Sequence, residues 1–216
     1  LSALQELNVG GTDVDCSRAL DLISSAPWAP QIKKLALDSR NAQGSFEVFT
    51  RLPALRELNV SSTEIDCSRA LELISSAPWA PEMNELWLER TNAEGDIAAL
   101  GNCPNRQAVG FSGCTGITGD IVALGNSSNL VFVEFQFCGE ITGSFEVFMS
   151  LPSLMVLNIS YTKVDCSRAL ELISSAPWAP DIEALGLSFT NVQGDDIFSL
   201  LTCRTCKGDI AALGNC

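Results

Sequence analysis

The chain has 216 residues, enough for one ordinary domain or a short repeat array with a sizeable core. Apolar residues make up 46% of it and charged residues only 18%, a balance that favours folding over disorder. Thirteen basic against twenty-six acidic residues give a net charge of −13, which opposes binding to a phosphate backbone, so no nucleic acid is expected. The complete lack of histidine removes Ser-His and Cys-His nucleophile pairs, histidine bases and most zinc sites. No apolar run approaches the ~18 residues of a membrane span. An ordinary enzyme is a poor reading, and no cofactor is implied.

Read in chain order, the sequence repeats itself, and the repeats decide its organisation. Each unit opens on an apolar phrase, L-x-x-L-x-L. The anchors are Leu4, Leu7, Val9; Ile32, Leu35, Leu37; Leu55, Leu58, Val60; Met83, Leu86, Leu88. The fifth unit has Arg106 as a weak first anchor, then Val109 and Phe111. Leu130, Val133, Phe135; Leu154, Leu157, Ile159; and Ile182, Leu185, Leu187 complete the series. The middle anchors lie 28, 23, 28, 23, 24, 24 and 28 residues apart. Alternation in x-L-x-L puts the leucines on one face of a short strand. Strands are therefore predicted near 7–9, 35–37, 58–60, 86–88, 109–111, 133–135, 157–159 and 185–187. One such strand cannot bury its apolar face alone, so all eight should stack at ~4.8 Å into one continuous parallel sheet.

Between the strands the units are of two lengths. The long ones carry DCSRALDLISSAPWAP at 15–30 and DCSRALELISSAPWAP at 66–81 and 165–180. Cys16, Ala19, Leu20 and Ile23 recur at helical spacing, and Asp15 or Ser17 is placed to cap such a helix. Pro27, Pro78 and Pro177 disfavour helical geometry in the preceding alanine, so each helix should end there. The short units carry GSFEVF at 44–49 and 143–148, GDIAAL at 95–100 and 208–213, and GDIVAL at 119–124. Gly44, Gly95, Gly119, Gly143 and Gly194 should permit a tight turn followed by about one turn of 3₁₀ helix.

Eight units of these lengths resemble leucine-rich repeats over nearly the whole chain. The short units, with T-x-x-x-G-D-I-x-x-L, are similar to the plant-type subclass, a wording also common in leucine-rich proteins of microalgae. The resemblance implies an α/β fold: a right-handed leucine-rich-repeat solenoid, or horseshoe, of about eight repeats, with 1–216 as a single domain. A parallel β-sheet would line the concave face and short α- or 3₁₀-helices the convex face. The family usually carries Asn or Cys three positions beyond the last anchor, where its polar group satisfies backbone in the turn. Here Thr12, Thr63, Thr91, Cys114, Cys138, Thr162 and Thr190 occupy that place, and Arg40 breaks the pattern in the second unit.

Most side chains that invite chemistry have a plainer role. Cys16, Cys67 and Cys166 fall on inward helix faces, and Cys114 and Cys138 in the turn ladder, where they serve as small buried hydrophobes. Cys103, Cys203, Cys206 and Cys216 remain; one Cys-x-x-Cys without histidine is no zinc site, although a local disulfide stays open. Asn59, Asn126 and Asn158 each head N-x-S, and chance occurrence is the better account, since two of them fall on concave strand positions. Trp28, Trp79 and Trp178, braced by prolines, should close the core edge. The carboxylates form no recognisable acid/base pair and read as a solvated surface.

The concave face holds the best functional candidates, because solenoids present it to partners. Its outward residues are acidic in the first units (Glu6, Glu57, Glu85), small in the fifth (Ala108, Gly110), and aromatic later. In the phrase L-x-x-L-x-L-x-x-T the eighth position is Phe137, Tyr161 and Phe189 in three successive units, against Gly11, Ser39, Ser62, Arg90 and Gly113 in units one to five. Stacked rungs would align the three rings, with Phe132, Glu134 and Trp87 flanking them. The partner-binding residues expected are therefore Trp87, Phe132, Glu134, Phe137, Tyr161 and Phe189, and no catalytic or metal-binding residue is named. The leading reading is a non-catalytic scaffold that binds a protein or peptide. The alternatives are a structural accessory subunit of a large assembly, such as an organellar or photosynthetic complex of an alga, and a receptor ectodomain or secreted inhibitor fragment. No targeting segment is visible, so chloroplast and secreted locations both stay open. The chain is expected to be a piece of a longer protein. Gly194 and Gly208 are equivalent glycines only 14 residues apart, whereas Gly95, Gly119 and Gly143 are 24 apart, so about ten residues are expected to be missing near 203–207, the alternative being a truncated repeat.

Overall fold

The computed structural model describes residues 4–12 and 15–191. Eight three-residue strands, Glu6–Asn8, Lys34–Ala36, Glu57–Asn59, Glu85–Trp87, Ala108–Gly110, Phe132–Glu134, Val156–Asn158 and Ala184–Gly186, pair in that order. All seven pairings are parallel, and the middle anchors align from Leu7 through Leu35, Leu58, Leu86, Val109, Val133 and Leu157 to Leu185. The expected single sheet is therefore present, each strand lying one residue earlier than predicted. The last anchor still donates to the neighbouring rung (Leu37 N–H to Asn59 O, 2.8 Å; Phe111 N–H to Glu134 O, 2.8 Å), but the chain leaves the ladder there.

The anchors point into one core that runs the length of the stack, closed on its other side by helices and 3₁₀ turns. Three helices, α1 (Ala19–Ser25), α2 (Ala70–Ser76) and α3 (Ala169–Ile173), come from the long units. Ala26 and Ala77, each before a proline, are extended, and α1 and α2 stop where expected. The helix starts differ from the sequence expectation. Neither Asp15 nor Ser17 caps a helix; the Asp15 carboxylate accepts from Ser17 N–H at 2.9 Å in a turn that precedes α1. The backbone N–H of Cys16, Cys67 and Cys166 is instead held from the next unit, by the side-chain oxygens of Asn41 (3.1 Å), Asn92 (2.7 Å) and Asn191 (2.6 Å). A single repeat read alone cannot show this, because donor and acceptor lie 25 residues apart.

The turn ladder forms as the repeat pattern anticipates. Thr63, Thr91, Thr162 and Thr190 donate to the carbonyl three residues back at 2.6–2.7 Å. Cys114 and Cys138 reach across to the preceding rung, to Leu88 O at 3.0 Å and Phe111 O at 3.1 Å. Arg40, which breaks the series, is exposed.

The glycine turns of the short units are corrected by the structure: the chain there is extended and forms further small parallel sheets, Gln43–Ser45 with Glu64–Asp66, and Glu94–Asp96, Gly116–Asp120 and Glu140–Thr142 together. Gly119 shows why glycine is needed. Its φ is 111°, and a Cβ would lie 2.2 Å from Asp96 Oδ1 of the neighbouring unit. Six-residue 3₁₀ stretches follow in three units, Phe46–Arg51, Ile97–Asn102 and Phe145–Ser150, longer than the single turn expected. Ser45, Asp96 and Ser144 cap them by accepting backbone N–H bonds. Gly194, Gly208 and the proposed omission near 203–207 lie outside the described residues.

Trp79 and Trp178 are fully buried, and each indole N–H donates to a carbonyl of the preceding unit, Phe49 O at 2.7 Å and Phe148 O at 2.8 Å. Trp28, in the first unit, is half-buried. Between units four and five no such tryptophan exists, and Arg106 takes its place. Its guanidinium, 1% exposed, donates to Leu100 O, the carbonyl equivalent to Phe49 O and Phe148 O, and also to Cys103 O (2.9 Å) and Ala123 O (2.6 Å). The residue that reads as a weak apolar anchor is a buried donor tying two units together.

Candidate partner-binding face

Three outward rows run across the open face of the sheet. The first reads Glu6, Lys34, Glu57, Glu85, then Ala108, Phe132, Val156, Ala184, so one half is acidic and the other apolar. Lys34 Nζ lies 3.0 Å from Glu57 and 4.0 Å from Glu6, and the Glu57 carboxylate holds the lysine pKa up. A shallow basin of about 240 Å³ opens over these first rungs, floored by Ala36 and bounded by Lys34 and Trp87. Apart from Trp87, the sequence expectation assigns no partner contact here.

The second row brings Trp87, Gly110, Glu134 and Asn158 side by side. Trp87 donates to Glu85 at 3.2 Å and meets Phe132, two rungs on, at 6.3 Å between ring centroids. Beside them lie two half-buried carboxylates, Glu89 and Glu134. Burial pushes both pKa values up, and the charge of Glu89 raises Glu134 further. A carboxyl raised in the folded state binds protons more readily there than in the unfolded chain. The stability it contributes is present when both states are protonated, and it is lost as the pH rises past its folded pKa. Asn59 and Asn158 sit on this face as expected, turned to their own backbone: each accepts from the N–H two residues on, at 2.9 and 3.2 Å.

The third row is the eighth position of each phrase. Its backbone is left-handed at Gly11, Ser62, Arg90, Gly113, Phe137, Tyr161 and Phe189, with φ between 55° and 80°. Each N–H from Ser62 to Tyr161 donates to the next rung at 2.7–3.0 Å, which extends the parallel ladder past the strands. Two glycines in the row are the signal that the sequence offers. The rings of Phe137, Tyr161 and Phe189 stack with centroids 4.5 and 4.3 Å apart and interplanar angles of 29° and 21°. They remain 49%, 36% and 61% exposed. The structure thus brings Phe137, Tyr161 and Phe189 together at the edge and groups Trp87, Phe132 and Glu134 at the centre.

Cys16, Cys67, Cys103, Cys114, Cys138 and Cys166 are buried and unpaired, and burial pushes Cys67 and Cys138 up to about 12 and Cys103 and Cys166 to about 11. Cys203, Cys206 and Cys216 lie outside the described residues. We expect a thiol reagent at pH 8 to leave those six unmodified in the folded protein and to label them after denaturation. Peptide mapping that finds any of them labelled at a comparable rate in both states would contradict their burial. Among the described residues no group of three metal-ligating side chains comes together, and no helix is long and apolar enough to cross a membrane.

No protein-family profile and no curated protein matches the sequence. Solved structures do match its shape. The plant peptide hormone receptor RGFR1, solved in complex with RGF2, superposes with a TM-score of 0.62 at 17% identity, over 94% of this chain and 35% of its own. An internalin (inlF) of Listeria monocytogenes gives 0.58 at 15% identity, over 94% and 53%. The leucine-rich-repeat protein LIC12759 of Leptospira interrogans gives 0.56 at 12% identity, over 97% and 61%. The chain spans about a third to three fifths of these proteins' lengths. With eight parallel rungs in register, a shared apolar core and these neighbours, the chain has the fold of the leucine-rich-repeat proteins.

Proposed function

We propose that the chain, as a single module over 1–216, is a non-catalytic interaction scaffold that binds a protein or peptide through its open face. Contact would be made by Trp87, Phe132 and Glu134 at the centre and by Phe137, Tyr161 and Phe189 at the edge. The observation that carries this reading is the aromatic ladder in left-handed backbone. A side chain there costs ~1–2 kcal/mol relative to glycine, which the same position holds in units one and five. Each stacked pair returns only ~0.5–1.5 kcal/mol, so three rings making two stacks gain the free fold little. Exposed in a row, they form the kind of apolar patch that marks an interface, and aromatic groups supply most hot spots. The neighbour solved with RGF2 lends the reading support from outside.

The test is Tyr161→Ala. Partners captured on the immobilised chain and identified by mass spectrometry provide the ligand. Affinity should fall by about 2 kcal/mol or more while the melting temperature hardly moves. A lowered melting temperature with affinity retained would make the ladder a structural shield of the sheet edge instead. Saturable turnover of any substrate by the purified chain would overturn the non-catalytic part.

A further inference from the structure

The chain also repeats itself at a longer interval. Residues 43–92 have counterparts at 142–191, each 99 positions on with no insertion or deletion. The two copies make the same bonds between units: Trp79 and Trp178 donate to Phe49 O and Phe148 O, and Asn92 and Asn191 hold the N–H of Cys67 and Cys166. They part at the edge where the strands begin. In the first copy Arg56 reaches to the next unit, and its guanidinium lies 3.5 Å from the Glu82 carboxylate. In the second, Met155 stands at the place of Arg56, Asp181 at that of Glu82 and Glu183 at that of Asn84. The backbone there is unchanged: Met155 O accepts from Glu183 N–H at 2.7 Å, as Arg56 O does from Asn84 N–H at 2.7 Å. A hollow of about 400 Å³ opens at this place in the second copy, walled by Pro152, Met155 and Pro180 over the buried Ile182, with Asp181 and Glu183 exposed at its rim. Among the described residues neither carboxylate makes an ion pair within 4 Å. The three exchanged positions carry no net charge in the first copy and −2 in the second.

We propose that this hollow takes an arginine side chain of a partner protein, its stem along Met155 and the two prolines and its guanidinium at Asp181 and Glu183. The chain itself shows the fit, because the same backbone frame in the first copy holds an arginine against a carboxylate. Charge complementarity selects a basic group. Two separate carboxylates suit a planar fork with several donors better than a compact ammonium, which favours arginine over lysine. A long basic side chain also lays its methylenes on an apolar wall while its charged head stays at the wet rim. The hollow lies where the strands begin, whereas Phe137, Tyr161 and Phe189 follow the strands. It is therefore a second contact surface, and its role does not depend on that of the aromatic ladder.

Random dodecapeptides displayed on phage, selected against the immobilised chain and counter-selected on its Met155→Arg variant, test this. That substitution copies the arrangement at Arg56, so the variant should melt no lower than the wild type while its own guanidinium fills the hollow. Peptides that survive should carry an arginine. In such a peptide Arg→Gln should weaken binding at least about tenfold, as should Asp181→Asn/Glu183→Gln in the chain, whereas Tyr161→Ala should leave it unchanged. The double variant alters only exposed groups, so it carries the test even if Met155→Arg folds poorly. Survivors that carry no arginine, survivors indifferent to the double variant, or no survivors at all would overturn the proposal and leave the aromatic ladder to its own test. Two other occupants give different results. Survivors that appear only once Arg204 and Lys207 are both replaced by glutamine would assign the hollow to this chain's own side chains. A wild type that sediments as a dimer, with Met155→Arg a monomer, would assign it to a second copy. Either result would overturn the partner protein as its occupant.

Discussion

Arg106→Ala should cost the fold about 3–4 kcal/mol, whereas Arg106→Leu should leave it within about 1 kcal/mol of the wild type. Among the described residues the buried guanidinium has no carboxylate partner, and burial pushes its pKa down from the ordinary arginine value to about 10. That displacement corresponds to a penalty of roughly 3 kcal/mol. Against it stand hydrogen bonds to Leu100 O, Cys103 O and Ala123 O, worth ~1 kcal/mol each. The two terms nearly cancel, so what remains is volume. Leucine, which holds the equivalent place at Leu55, Leu130 and Leu154, fills the anchor site and removes the unpaired charge together with its bonds. Alanine removes the same groups and leaves a cavity as well, and the cavity decides the result. Urea midpoints at neutral pH measure both variants. If leucine proved as damaging as alanine, the donors would outweigh the charge penalty, and the near-cancellation argued here would be wrong.

A second expected result sets one repeat against another. Trp79→Ala should lose about 4–5 kcal/mol, and Trp28→Ala about 1–2 kcal/mol, although both tryptophans stand in the same A-P-W-A-P phrase. The Trp79 ring is fully buried and its N–H is bonded to Phe49 O across the interface between units two and three. Removing it opens a large cavity and takes a donor from that carbonyl. Trp28 is half-buried, so much of its ring already meets solvent. Trp178 repeats the Trp79 arrangement through Phe148 O and should behave like it. Thermal or urea unfolding of the three alanine variants gives the comparison. Equal losses at Trp28 and Trp79 would mean that the local phrase, and not packing against the preceding unit, sets the energy.

These contrasts mark where sequence and tertiary structure divide. The alternation within each L-x-x-L-x-L phrase names the inward residues, and the constant spacing names each strand's partners, because copies of one unit stack copy on copy. Eight parallel rungs, their register, the buried cysteines and the threonine–cysteine turn ladder were therefore legible, as was the alignment of Phe137, Tyr161 and Phe189. The features that escaped are contacts between units, made by residues whose partners lie outside their own repeat. Asn41, Asn92 and Asn191 hold the backbone at cysteines 25 residues earlier, work that the sequence expectation gave to Asp15 or Ser17. Arg106 reads as a defective anchor until the carbonyl that Trp79 and Trp178 satisfy elsewhere is found facing it. The lean of Trp87 across Gly110 to Phe132 joins side chains 45 residues apart, and it buries the small residues of the fifth rung, Ala108 being 2% exposed. Periodicity dictates what every unit has in common; what each unit does differently acquires neighbours only when the rungs are stacked.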